Sequence, residues 1–389
     1  MASTSVLISG ASVAGTALAY WLDRYGFDVT VVERAPGLRP GGQAIDVRGP
    51  AIDVARRMGV LDAVRAQSTN MRGMTMAGPA GEQLFQTTDF TFTGGDMDSR
   101  DVEILRDDLC GTLHAAASDR VTYRYDDSIT AIDDRDGGAR VTFERTPAAT
   151  YDIVVGADGL HSTTRRLAFG PERDYITHLG TYLAVFTTPN FLGLDHWQIF
   201  QLGDNQVGGV MSVRDNAELR AYLGFASEEP IAYDVRDVDA QKRLLAERTA
   251  EAGWIWPRAK EYMWDAPDFH LDSMSQIHLD SWSRGRVVLL GDAGYCGSPL
   301  SGQGTSMAMV GAYVLAGELK AAGGDHRTAF ARYEDELRDY VTANQRFALT
   351  NKARMEARAA AAMGRDDDTT SLWDGYFTET VDSLKLKDY

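Results

Sequence analysis

The chain has 389 residues and a formal net charge of −17, with 44% hydrophobic and 24% charged residues. That length predicts about two domains of ordinary soluble globular composition, and the acidic balance speaks against nucleic acid, whose phosphates need Lys and Arg stripes. Two cysteines (Cys110 and Cys296) without a C-x-x-C pair, and seven histidines without H-x-x-x-H spacing, support neither a disulfide framework nor a zinc site.

No basic n-region and no continuous apolar run opens the chain, so neither a signal peptide nor a membrane span is expected, and the cytoplasm is the expected location. Ser5 to Ser9 is a short apolar strand. Gly10-Ala11-Ser12-Val13-Ala14-Gly15 follows, then a helix from Thr16 to Tyr25 stopped by Gly26, and a second strand, Val29 to Val32, that ends at Glu33-Arg34. This is a βαβ unit with an acid about twenty residues after the turn, the pattern that cradles a dinucleotide pyrophosphate and binds a ribose. Residues 37–50 are rich in Gly and Pro and read as an irregular loop feeding a helix from Ala51 to Met58. Asp46 and Arg48 in that loop are candidate buried partners of a ligand.

Strands are expected around Met74 to Met76 and Glu82 to Phe85, and a helix from Arg100 to Ala117 with Arg106 in its first turn. An arginine near a helix N-terminus gains nothing from the dipole, which points to a task elsewhere. Val121 to Tyr125, Ser128 to Asp133 and Ala139 to Glu144 read as three antiparallel strands. A buried strand from Tyr151 then ends in Gly156-Ala157-Asp158-Gly159, and Ser162 caps a short helix carrying Arg165. Asp158 either accepts from a ribitol or ribose hydroxyl or holds its loop as an Asx turn.

From about Tyr175 to Asp280 alternating runs separated by turn residues predict a separate antiparallel sheet, with an amphipathic helix from Arg236 to Ala252. The chain returns through an apolar run ending at Leu290 to Gly291-Asp292-Ala293, then a loop with Pro299 and Gly302-Gln303-Gly304-Thr305, and an Ala- and Met-rich helix. A strand that ends in glycines and turns into a helix offers bare N–H groups to an anionic or carbonyl-rich ligand. Arg327 to Met363 is one long helix leaning across both domains, and the tail with Trp373, Tyr376 and Phe377 is expected to fold back as a short helix. The fold class expected is α/β: a Rossmann-like domain (1–72, 98–176 and 281–322) with an inserted antiparallel-sheet domain (73–97 and 177–280) and a C-terminal bridging helix and tail (323–389).

Gly10-x-Ser12-x-x-Gly15 with Glu33, Gly156-Ala157-Asp158-Gly159 with Arg165, and Gly291-Asp292-Ala293 with Pro299 and Gly302-Gln303-Gly304 stand in one order over residues 5–345. In this the chain resembles the single-component FAD-dependent aromatic hydroxylases of the para-hydroxybenzoate hydroxylase type, and within them the tetracycline-inactivating and polyketide-hydroxylating monooxygenases. Ser12 stands where the family carries its second glycine. The resemblance implies that Gly10, Ser12, Val13, Ala14 and Gly15 cradle the FAD pyrophosphate, Glu33 and Arg34 meet the adenosine end, and Arg106 closes on the pyrophosphate. It places Asp292 at the ribityl part, Asp158 in a motif tied to cofactor use, Gln43, Arg48 and Pro299 beside the flavin, and Gly302 to Thr305 at the isoalloxazine carbonyls. Gln201, Met211, Arg214 and Phe225, with Pro299, would line the substrate pocket.

The implied chemistry belongs to the cofactor. NAD(P)H reduces FAD, O2 forms a C4a-hydroperoxide, and a phenolic or polycyclic substrate is hydroxylated with no catalytic side chain required beyond FAD, Arg48 being the candidate nearest the flavin. The protein excludes water and places the ring carbon. Three alternatives remain open. Trp254-Ile255-Trp256-Pro257 partly matches a flavin-dependent halogenase motif. A Baeyer–Villiger monooxygenase uses the same fold, and a non-catalytic flavin- or ligand-binding protein would hold FAD without consuming NAD(P)H. A monomer or weak dimer without metal or membrane span is expected.

Overall fold

Val6, Leu7 and Ile8 are fully buried, as a continuous apolar strand must be when both faces of its sheet are covered. In the computed structural model, which describes residues 3–93, 95–117, 119–202, 206–362 and 384–389, this strand is central to a six-stranded sheet. Its spatial order is Ser283–Arg284, Val287–Leu289, Ile153–Gly156, Ser5–Ser9, Asp28–Glu33 and Thr122–Tyr125, and all neighbours are parallel except the first pair. Helices Val13–Arg24 and Gly304–Ala321 share one core with it. A three-stranded antiparallel sheet (Ile129–Arg135, Gly138–Phe143, Ala149–Tyr151) packs on Leu7, Val32, Val154 and Val287.

Register decides where the site lies. Ser9 pairs with Gly156, and Gly156 with Leu289. The loops after these three strands therefore leave one edge of the sheet side by side, at its carboxyl end, where open α/β sheets bind ligands.

The second layer is a seven-stranded sheet in the order His270–Ile277, Ile176–Pro189, Glu218–Ala226, Gln206–Val213, Trp197–Leu202, Gly73–Ala77 and Gln83–Thr87. Strand alternation gives it two apolar faces. Tyr182, Phe186, Val210, Leu223 and Phe225 pack with helices Val238–Arg248 and Trp256–Met263. Val185, Phe200, Met211, Val213 and Tyr222 pack the other way, with Met71, Met74, Leu105 and Ala44. The α/β class, the antiparallel layer and the long C-terminal helix, His326–Ala362, are as expected from the sequence. That helix sends Tyr333 into the core, where its hydroxyl meets the Leu289 carbonyl (3.1 Å) and the Tyr295 hydroxyl (2.9 Å).

Three expectations are corrected. Residues 44–47 are not loop and 100–105 are not helix: Ala44–Val47 pairs antiparallel with Val102–Leu105, and the helix begins at Arg106. Buried charges at Asp46 and Glu103 hid the alternation. Thr122–Tyr125 pairs in parallel with Asp28–Glu33 instead of joining the antiparallel strands, because Asp126, with φ at +59°, turns the chain away first. Of the tail, Leu384, Leu386 and Tyr389 pack on the main core without helix; Trp373, Tyr376 and Phe377 lie outside the described residues. Among the described residues no helix is long and apolar enough to cross a membrane, and no three potential ligands converge on a metal position.

Candidate cofactor and substrate site

The turn after the first strand is built by glycines at contact distance. A Cβ on Gly15 would overlap the carbonyl oxygen of Gly10, and Gly10, at φ +108°, has the Ala157 carbonyl against it. The backbone there has no room for a side chain. Glu33 receives the Ala11 N–H on Oε2 and the Ala35 N–H on Oε1, each at 2.8 Å. Arg106 donates to the carbonyls of Arg39 (3.0 Å) and Gly41 (2.8 Å), so it leans over the 39–42 loop towards the same turn. Ala11, Ser12, Glu33, Arg106, Leu38, Arg39 and Cys110 line one small cleft. Arg39, Leu38 and Cys110 escaped the sequence reading, since nothing local marks them. Val13 and Ala14 form the buried start of the helix, Gln43 receives the Arg106 N–H on its carbonyl (3.1 Å), and Arg34 is exposed. A glycine turn at a helix start, facing a guanidinium and flanked by a ribose-binding acid, suits a dinucleotide anion.

At the opposite end of this edge, Ser298 holds φ +74°, a strained value for a non-glycine residue, and Gly302 lies at +61°. Pro299 and Asp292 are exposed, Gly304 starts its helix, and Thr305 is partly buried. Gln303 is fully buried, yet neither its Nε2 nor its Oε1 has a partner among the described residues. Buried amides are nearly always satisfied, so this pair fits a ligand presenting both a donor and an acceptor. Arg48 faces the same loop: a side chain at Gly302 would begin 3.5 Å from its Nη1. Its backbone N–H donates to Ser306 Oγ (2.9 Å), and its guanidinium meets Asp46 (3.1 Å) and the Thr93 carbonyl (3.0 Å). The residues present thus fit FAD at both ends.

Asp158 is settled by its partners. Its two oxygens accept from Ser9 Oγ, Ser162 Oγ, Thr164 N and Thr164 Oγ1 at 2.5–3.2 Å. Four donors fill a carboxylate's acceptor positions, so Asp158 holds its loop and the expectation of a cofactor contact is corrected. Arg165, fully buried, donates to the carbonyls of Ala293 and Leu160 and to Glu172. It locks the 156–162 loop to the Gly291-Asp292-Ala293 turn.

His161 bridges the two layers through Glu172 (2.8 Å) and Asp272 (3.0 Å). Burial opposes its charge, but hydrogen bonds from these two carboxylates outweigh that and push its pKa up to about 10. The folded value exceeds the ordinary 6.5, so the stabilisation is complete below 6.5 and is lost as pH rises through about 10. Between those limits the parent should lose about 1–3 kcal/mol more stability than His161→Gln, allowing for partial solvent screening. Parallel urea-unfolding curves at the two pH values check this; equal losses would remove the charged bridge from the account.

The expected pocket residues divide. Met211 lies on the face turned towards Ala44 and Leu105, where Tyr222 donates to its sulfur (3.5 Å). Gln201 and Phe225 lie on the helix-covered face instead. Gln201 receives the Trp256 indole N–H (2.6 Å), and Phe225 stacks on Tyr182 with centroids 5.4 Å apart. Arg214 stands at a hairpin tip, paired with Asp107 (2.9 Å) and Asp108 (2.5 Å). These three leave the pocket list because side chains alternate along a strand and only one face meets the cofactor edge. Phe200, Tyr222 and Gln198 take their place on that face, with Phe92 stacked on Phe200 at 4.1 Å.

Comparison with known proteins places this geometry. A family model described as FAD binding domain matches residues 3–348. An uncharacterized protein of Mycobacterium tuberculosis (strain ATCC 25618 / H37Rv) is 55% identical over 385 residues, 99% of this chain and 100% of the relative. A flavin-dependent monooxygenase of an unknown prokaryotic organism is 38% identical, covering 99% of this chain and 98% of the relative. The crystal structure of tetracycline destructase Tet(51) superposes with a TM-score of 0.88 at 34% identity, covering 100% of both chains. With the glycine turn, Arg106 and the Gln303 loop along one sheet edge, the chain belongs to the FAD-binding-domain family of flavin-dependent monooxygenases.

Proposed function

We propose that this monooxygenase hydroxylates a phenolic or polycyclic, tetracycline- or polyketide-like compound. One observation carries the substrate class: a broad apolar and aromatic face, with Phe92 on Phe200 beside Met211 and Tyr222, belongs to the same packed layer as the strand that leads to Arg48 and the flavin loop. Such a face takes a flat hydrophobic ring system. When bound, FAD supplies electron transfer from NAD(P)H to O2 and the activated oxygen that is inserted.

The chain's own residues bind and orient. Backbone N–H groups from Gly10 to Gly15, Ser12 among them, hold the pyrophosphate with Arg106, while Glu33 and Arg34 serve the adenosine end. Asp292 serves the ribityl chain. Gly302 to Thr305, with the Gln303 amide, hold the isoalloxazine ring, flanked by Gln43, Arg48 and Pro299. We assign cofactor binding to the parallel-sheet layer and substrate binding to the seven-stranded layer. The large sheet and the 90–96 segment close over the ring and exclude water. A cytoplasmic monomer or weak dimer without a nucleic-acid partner completes the reading. The halogenase alternative loses its motif, because Trp256 is a core residue bonded to Gln201.

The test is anaerobic bleaching of the flavin bands by NADH and NADPH, with and without phenols and tetracyclines. Acceleration of at least tenfold by one ring system is the expected result. A yellow protein that no nicotinamide reduces would overturn the single-component reading.

A further inference from the structure

Asp46 and Glu103 face each other across the ladder formed by Ala44–Val47 and Val102–Leu105. Directly opposed positions bring side chains within about 5 Å, and like charges there repel. Both carboxylates lie deep between the layers. Asp46 is 6% exposed; one oxygen meets Arg48 and the other, Oδ1, has no partner among the described residues. Glu103 retains some accessible surface and accepts from Thr69 Oγ1 (2.5 Å), from Thr93 Oγ1 and more distantly from Gln198 Nε2 (3.5 Å). Asp101 adds a third carboxylate, 3.9 Å from Arg48 Nε, which makes no hydrogen bond among the described residues.

One guanidinium therefore stands among three carboxylates. The large sheet contributes Tyr222, whose phenol burial pushes up, and Arg220, which is already paired with Asp268 at 2.7 Å. No other cation is printed against the trio by these strands. If all three acids were ionised, Arg48 would be over-neutralised where it meets the Gly302 loop. A shared proton relieves the Asp46–Glu103 repulsion and leaves the guanidinium its field.

We propose that Asp46 and Glu103 are positioning residues that share one proton and thereby keep the positive charge of Arg48 directed at the flavin ring, so that flavin reduction is linked to proton uptake by this pair. This rests on the FAD-binding reading above. Two electrons enter the bound flavin from a reductant together with one proton at the ring. The added negative charge draws a second proton from solvent onto the carboxylate pair, with no bond broken elsewhere. The titration of Asp46 sets the window. Burial pushes its pKa up to about 8, against Arg48 and with help from Glu103 and Asp101, and burial also raises Glu103. Below about pH 8 the pair already holds its proton and reduction adds none; above it, reduction does.

The experiment is a potentiometric titration of the FAD-loaded protein on both sides of pH 8, in the parent, Asp46→Asn and Glu103→Gln. The parent should take up two protons per two electrons above pH 8 and one below. Each variant, with a single acid left beside Arg48, should take up one throughout. Equal proton counts in all three proteins would overturn the proposal. Infrared spectra of the FAD-free parent at neutral pH give an independent reading, since the carbonyl stretch of a protonated carboxyl should be present there and lost in either variant. Its absence from the parent would equally overturn the proposal. A protein that takes up no FAD would fail the cofactor reading instead, and the infrared band would still decide whether the proton is shared.

Discussion

Gly15→Ala should yield a protein at least tenfold weaker for FAD. The added Cβ would overlap the Gly10 carbonyl oxygen and approach its carbon at 3.0 Å. Both belong to backbone that is itself held, because Gly10 donates its N–H to the Val32 carbonyl (2.8 Å) and Ala157 donates to Ser9 (2.8 Å). The turn cannot yield without moving the cleft that Ser12, Glu33 and Arg106 share. Overpacking of this kind costs about 1–3 kcal/mol, while alanine in a helix recovers about 1 kcal/mol relative to glycine. The steric term wins, and it acts on the ligand's own contact surface. Gly111→Ala is the control: it is helical, nothing lies within 4 Å of its added Cβ, and it should be neutral or slightly stabilising. Quenching of FAD fluorescence on titration measures both. Unchanged affinity in Gly15→Ala would mean that the turn does not meet the pyrophosphate.

Arg165→Ala should cost about 3–5 kcal/mol, the scale for breaking a buried charged network. The guanidinium is fully buried and satisfies the carbonyls of Ala293 (2.9 Å) and Leu160 (2.6 Å) as well as Glu172 (2.7 Å). Its removal leaves two carbonyls unpaired and opens a cavity, two penalties that add. Arg165→Lys should restore less than half, since an ammonium cannot span three acceptors held by a planar fork. Urea unfolding of the FAD-free protein measures the loss, and a change below about 1 kcal/mol would refute a locking role. The loss should also weaken FAD binding, because Ala293 adjoins Asp292.

Much of the cofactor half was legible because its information is local. Ser5 to Ser9, the glycines at 10 and 15, the helix and Glu33 occupy one βαβ unit whose pattern follows from apolar burial and backbone geometry. The same holds for Gly302 to Thr305 at a helix start. The strand Ala44–Val47 was not legible. Its buried Asp46 breaks the apolar alternation and is tolerated only through Arg48 and a facing strand more than fifty residues away.

The alternatives at Asp158 needed the positions of Ser9, Ser162 and Thr164, two of them four and six residues on and one 149 residues back. Gln201, Met211 and Phe225 show a further limit. Alternation assigns each to one of two sheet faces, but which face the helices cover depends on packing between distant segments. The sequence by itself determined the strand–turn–helix units and the family they belong to, since those rest on contacts between near neighbours. Only the tertiary structure decided which side chains meet the flavin edge, because that depends on non-local register and on partners that neutralise buried charge.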